Sequence, residues 1–113
     1  MTPRRGDVVT LASGGGFAGK PRPALIVQAD IFSDLSTVVV LLFTTHERRH
    51  PLLRPEYAPN AENGLRAMSR LMVHAPTTVR VDEIGERIGA FTPDEMAAVD
   101  QLLLLLLGFA QLT

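Results

Sequence analysis

The sequence predicts a mainly β chain closed by one α-helix. Two observations carry this. Between residues 6 and 81 short apolar, β-branched runs alternate with stretches bearing Gly, Pro, Asn and Asp, and after Thr92 the pattern changes to a helical one. A length of 113 residues suits a single domain able to bury its own core, and no linker or internal repeat divides it.

The first strand is expected over Gly6 to Leu11, and the SGGGFAGKPR segment after it reads as a loop, because three consecutive glycines favour no regular element. A second strand is expected to begin just after Pro23 and run to Gln28, since proline is tolerated at a strand's start and not in its middle. Ala29 to Ser36 reads as a turn region. Thr37 to Thr44 (TVVVLLFT) is the clearest strand, and its continuous apolar run predicts a central position with both faces covered. Further strands are expected over Ala67 to Val73 and Thr77 to Val81.

Thr92-Pro93-Asp94-Glu95 places a capping threonine, a proline at the first helical position and a glutamate at N3, which together open a helix from Pro93 to about Leu107, with Gly108 as its stop. The six leucines Leu102 to Leu107 put apolar surface on every side of the helix end, more than one sheet face covers. A second copy of the chain is expected to cover the excess, with Leu103, Leu106 and Leu107 as candidate contacts.

The absence of cysteine excludes disulfides and thiolate metal sites and suits a reducing compartment. The start MTPRRGDVV lacks the apolar core of a signal peptide, and the Leu102 to Leu107 run is far shorter than the roughly 18 residues of a membrane span. A soluble, intracellular protein is expected. Its net charge of −1 hides an asymmetry: residues 1–80 hold ten Arg and Lys against six Asp and Glu, whereas residues 81–113 hold one against six. All the basic residues but Lys20 are arginine, the type suited to bidentate phosphate contacts.

His46-Glu47-Arg48-Arg49-His50 matches the H-E-x-x-H signature of zinc peptidases, in which both histidines meet one zinc from one helix face. Here the segment follows a strand directly, and Pro51 disfavours helical geometry at His50. A polar loop is the favoured reading, a zinc peptidase the minor one.

Arg5-Gly6-Asp7-Val8-Val9, a glycine-rich loop, Arg22-Pro23-Ala24-Leu25-Ile26-Val27 and an apolar strand ending in Thr44 form a pattern that resembles the MazF/PemK family of bacterial toxin–antitoxin toxins. The likeness continues through Asn63-Gly64-Leu65, Ser69 to Val73, Thr78-Val79-Arg80, Ile84 to Gly89 and the C-terminal helix. It implies a small β-barrel related to SH3 barrels plus that helix, assembled as a homodimer. It further implies a cytoplasmic, metal-independent and cofactor-free endoribonuclease that cleaves single-stranded RNA sequence-selectively, is restrained by a cognate antitoxin and has no membrane partner.

Metal-free RNA cleavage needs a base for the ribose 2'-hydroxyl, an acid for the leaving 5'-oxygen and cations for the phosphate charge. The resemblance places a catalytic arginine at Arg22 and an active-site threonine at Thr44, with Thr45 and His46 beside it. Many members carry an Asp followed by an Arg where this chain reads Val73 to Thr78; here His74 takes the acidic position and Thr77 the arginine's, and histidine is a competent proton shuttle near neutral pH. Candidate catalytic residues are therefore Arg22, Thr44, His46 and His74, and candidate RNA contacts are Lys20, Thr45, Arg48, Arg49 and Arg80. Two non-catalytic alternatives share the fold: the CcdB-type toxins, which bind gyrase through a terminal Trp-Gly-Ile, whereas this chain ends Ala110-Gln111-Leu112-Thr113 and has no tryptophan, and an inactive RNA-binding or regulatory relative, which the changes at His74 and Thr77 keep open.

Overall fold

The computed structural model describes residues 2–12, 21–46 and 50–112. Among these residues seven strands form one curled antiparallel sheet: β1 (Asp7–Leu11), β2 (Arg22–Ile26), β3 (Thr37–Thr44), β4 (Glu56–Tyr57), β5 (Ser69–Leu71), β6 (Thr77–Arg80) and β7 (Ile84–Ala90), followed by helix α1 (Pro93–Leu106). The order is β4-β5-β3-β2-β1-β7, and β6 pairs with β3 beside that path. The mainly β class with one C-terminal helix is thus observed.

β3 is central, as its apolar sequence requires. One edge pairs with β2 through Ala24↔Leu42, Leu25↔Leu41 and Ile26↔Val40. The other edge is shared, with β6 taking Thr37 to Val40 and β5 taking Phe43 and Thr44. Both faces are covered: Leu41 and Phe43 pack with Val8, Leu25, Leu71 and the helix residues Met96 and Val99, while Val38 and Val40 pack with Val9, Ala24 and Ile26 on the other side. Alternation along each strand assigns these two clusters to opposite faces.

β2 begins at Arg22, earlier than expected, and Pro23 lies within it opposite Thr10 of β1. The β2–β3 ladder starts at Ala24, one residue past the proline, so the missing N–H falls outside it. β4 and β7 are strands the sequence pattern did not reveal. β7 is an edge strand paired to β1 with register shifts at Val9, where Thr10 Oγ1 accepts from the Glu86 backbone N–H at 3.1 Å.

The loop before β5 is built around Asn63, only 1% exposed. Its carboxamide donates to the Ala58 carbonyl at 3.0 Å and accepts from the backbone N–H groups of Asn60 and Leu65. Gly64, at φ +68°, presses so close to β7 that an added Cβ would lie 2.0 Å from the Ile88 carbonyl oxygen.

α1 starts as expected: Thr92 Oγ1 accepts from Glu95 N–H at 3.1 Å, and the Glu95 carboxylate accepts from Thr92 N–H at 2.8 Å. It ends in a Schellman motif, Phe109 N–H donating to Leu104 and Gly108 N–H to Leu105, with Gly108 at φ +83°. Arg5 locks the helix to the sheet by bonding Asp100 and the Val27 carbonyl. Leu102 and Leu103 pack against the chain's own core, whereas Leu104, Leu107, Phe109 and Leu112 are exposed, Leu107 at 63% and Phe109 at 80%. No helix among the described residues is long and apolar enough to cross a membrane.

Candidate functional site

The sheet register brings the candidate residues together without any appeal to function. Continuing the Ala24↔Leu42 pairing by two residues sets Arg22 opposite Thr44, and Thr44 in turn pairs with Arg70, which pairs with Glu56. Directly opposed residues share a face. Arg22, Thr44, Arg70 and Glu56 therefore form one transverse row across four strands.

At the Arg22–Thr44 end of this row lies an open cleft of about 390 Å³, lined by Arg22, Pro23, Phe43, Thr44, Thr45, His46 and Ser69. Arg22 is half-buried, and its Nη2 donates to the Phe43 carbonyl at 3.2 Å, which fixes the guanidinium across the strand ends. Thr44 is 8% exposed. Its Oγ1 accepts from His46 N–H at 3.2 Å, holding the chain in a tight turn as it leaves β3 and leaving the hydroxyl proton to donate into the cleft. The His46 side chain is exposed at the rim.

Ser69 and Arg66 went unnoticed in the sequence. Ser69, buried at the start of β5, directs its hydroxyl to the Ala67 carbonyl at 2.9 Å while lining the cleft. Arg66 lines an adjoining groove of about 400 Å³ that shares Pro23, Thr45 and Ser69 with the cleft and extends to Glu86 on β7. A buried serine at a strand start carries no sequence signal, and an arginine after Gly-Leu reads as a solvated loop residue. Arg70 is tied to Glu56 at 3.3 Å and donates to the Arg54 carbonyl at 3.2 Å, so much of its charge is already answered.

Two expected site residues lie elsewhere. Arg80 is paired with Thr37, at the far end of β3 from Thr44, and its guanidinium engages Asp82 at 3.1 Å and Glu83 at 3.6 Å. Seven residue steps at about 3.3 Å put it roughly 23 Å along the strand from the cleft. His74 does not line the cleft. It sits in the turn between β5 and β6, where its Nε2 lies 3.5 Å from Arg54 Nη2. Slight desolvation of the largely exposed ring, then the charges of Arg54 and His50, hold its imidazole below the usual 6.5. Lys20, Arg48 and Arg49 lie outside the described residues, as does Glu47 of the H-E-x-x-H match. His50 has φ +115°, so the backbone there is not helical and the one-face presentation that a zinc peptidase requires is not formed. Among the described residues no three His, Cys, Asp or Glu side chains form a cluster suited to a metal ion.

A half-buried guanidinium, a threonine hydroxyl and a histidine around an open cleft form a set suited to an oxyanion and a proton transfer. Comparison with known proteins leads the same way. The sequence profile of the PemK-like, MazF-like toxins of type II toxin–antitoxin systems matches residues 4–107. A probable endoribonuclease MazF from Mycolicibacterium smegmatis is 41% identical over 107 residues, covering 95% of this chain and 98% of the relative. A solved endoribonuclease in complex with its cognate antitoxin, from a mycobacterial species, is similar with a TM-score of 0.75 at 26% identity, over 97% of this chain and 99% of that one. A MazE–MazF crystal structure from Deinococcus radiodurans, at 20% identity and a TM-score of 0.76 over 97% and 99%, shares the fold.

Proposed function

The chain belongs to the PemK-like, MazF-like toxin family of type II toxin–antitoxin systems, and from that membership we infer that it is an endoribonuclease acting on single-stranded RNA without a metal. The single observation that carries the chemistry is Arg22 facing Thr44 across the mouth of one cleft. In the proposed reaction the ribose 2'-oxygen attacks the adjacent phosphorus, the 2'-O–P bond forms and the P–5'-O bond breaks. Negative charge gathers on the non-bridging oxygens, where the Arg22 guanidinium and the Thr44 hydroxyl donate hydrogen bonds. His46 takes the 2'-hydroxyl proton, and the leaving 5'-oxygen takes a proton from solvent. The products carry 2',3'-cyclic phosphate and 5'-hydroxyl ends.

The working form in this reading is a homodimer. Leu104 and Leu107, followed by Phe109 and Leu112, form an apolar surface at the end of α1. A cognate antitoxin, acidic and complementary to the arginine-bearing cleft, restrains the enzyme in the cytoplasm. Incubating the purified chain with a long single-stranded RNA in EDTA tests the reading. Cleavage by the unaltered protein and its loss in Arg22→Ala are expected, and intact RNA after prolonged incubation with the folded protein overturns it.

A further inference from the structure

Arg54 is 9% exposed, yet no carboxylate among the described residues stands within ion-pair distance of it. A buried guanidinium without a counter-ion is unfavourable, and such charges are ordinarily paired. Its one side-chain partner among the described residues is His74 Nε2 at 3.5 Å, longer than a normal hydrogen bond. No buried side-chain nitrogen or oxygen among the described residues lacks a partner, so the remaining guanidinium nitrogens of Arg54 reach the surface. The stem is enclosed and a donor edge is open, which is the form of a built anion site.

Its place in the sheet decides which anion. The Glu56↔Arg70 pairing, extended by the bonds from Leu71 N–H to Pro55 and from Val73 N–H to Leu53, sets Arg54 opposite Met72. Alternation then puts Arg54, Met72 and Arg70 on the face that carries Arg22 and Thr44. Arg54 stands two strands across and two residues along from Thr44, roughly 12 Å at ordinary sheet spacings. His74 follows at the turn beside it, and His50 is near enough for its charge to act on the His74 ring.

We propose that Arg54 and His74 form a second phosphate-binding subsite that holds a backbone phosphodiester of the RNA strand a few nucleotides from the bond cut at Arg22 and Thr44. The subsite rests on the ribonuclease reading for its ligand, though not for its anion chemistry. Arg54 supplies the fixed positive charge and an N–H donor, and His74 turns from accepting from Arg54 to donating toward the phosphate. The 3.5 Å contact between them is weak enough for an oxyanion to replace it. A strand gripped at two phosphates keeps its register while the scissile one reacts.

The test has two arms on the full chain. In the first, inorganic phosphate is titrated while the His74 ring and Arg54 guanidinium resonances are followed by NMR; saturable shifts in both are expected, and the His74 shift should vanish in Arg54→Met. In the second, a single-stranded RNA with 2'-O-methyl riboses, which cannot be cut through the 2'-oxygen, is bound at several salt concentrations. His74→Ala should weaken binding roughly 3- to 10-fold, and Arg54→Met should lower the slope of log affinity against log salt by about one. Because His74 is exposed, its variant keeps the test open if Arg54→Met does not fold. The subsite is overturned if phosphate leaves both resonances unmoved or if folded His74→Ala binds RNA like the unaltered chain. It is equally overturned if the variants weaken binding of an acidic peptide and leave RNA binding intact, which would make the site a protein contact. Wild-type protein that shifts with phosphate but never cuts RNA refutes the ribonuclease reading and not the anion site.

Discussion

Arg22 and Thr44 stand opposite each other at adjoining ends of β2 and β3, and the arginine spans the gap to bond the Phe43 carbonyl at 3.2 Å. That bond gives the guanidinium a fixed starting geometry, so the arginine is preorganised. Arg22→Ala should cost about 1 kcal/mol of stability, the worth of one partly exposed hydrogen bond. Cleavage should fall on the order of 100- to 1000-fold, as when a charge-stabilising donor leaves a preorganised site. Arg22→Lys should restore little, because an ammonium cannot reproduce the planar fork. Thermal melting and rates on one defined RNA check both.

Thr44 allows a finer separation. Thr44→Ser retains the hydroxyl that accepts from His46 N–H, whereas Thr44→Val fills the same buried space without it. The serine variant should cut RNA within a few-fold of wild type and the valine variant at least about 10-fold more slowly, since roughly 1 to 3 kcal/mol accompanies an unsatisfied donor. Equal rates for the two would remove the hydroxyl from the mechanism.

His74 supplies the pH prediction. Slight desolvation, then Arg54 and His50, lower its folded pKa from 6.5. In the window between the lowered folded value and 6.5 the unfolded chain binds more protons, so stability rises with pH there and is lost as pH falls below 6.5. NMR titration should find the His74 midpoint below that of an unstructured histidine, and Arg54→Met should move it upward. A midpoint that ignores Arg54 would show that the two do not interact in solution.

Association should depend on the exposed leucines more than on the leucine run as such. Leu107→Glu places charge on a surface that is 63% exposed within one chain, so the fold should survive while a dimer should dissociate in light scattering. Leu103→Glu, by contrast, intrudes on the chain's own core and should destabilise the fold itself, by more than about 2 kcal/mol.

Gly64→Ala should be among the most damaging small changes, since both its φ of +68° and the Ile88 carbonyl oxygen 2.0 Å from an added Cβ oppose it. A loss of at least about 2 kcal/mol in chemical denaturation is expected.

The fold was readable wherever local signals agreed with packing. Thr37 to Thr44 is a strand at both its expected ends because a continuous β-branched run has nowhere to go but a two-sided core, and Thr92 to Glu95 caps the helix as written. β7 escaped notice because Ile84 to Ala90 carries two glycines and two charges, tolerable only on an edge strand bent by bulges. Pro23 misplaced the start of β2, since sequence does not say which side of a proline needs the absent N–H. For the site, Arg22 and Thr44 were legible through the resemblance, and register brings them together. Arg80 and His74 were not placeable, because whether they reach the cleft depends on where β5 and β6 share the edge of β3. Ser69 and Arg54 become conspicuous only once burial and pairing are known.

Among the described residues the sheet has open edges at β4, β7 and β6, and these bear on a different matter, the solubility of the free chain. β4 is two residues long and preceded by Pro55, and β7 is broken in register and bears Glu86 and Arg87. β6, paired only with β3 among the described residues, is four residues long and ends in Arg80. None of the three offers the long flat edge on which another chain could add strand after strand. Sheet-to-sheet addition between copies is therefore disfavoured. A concentrated sample should accordingly resist fibrillation.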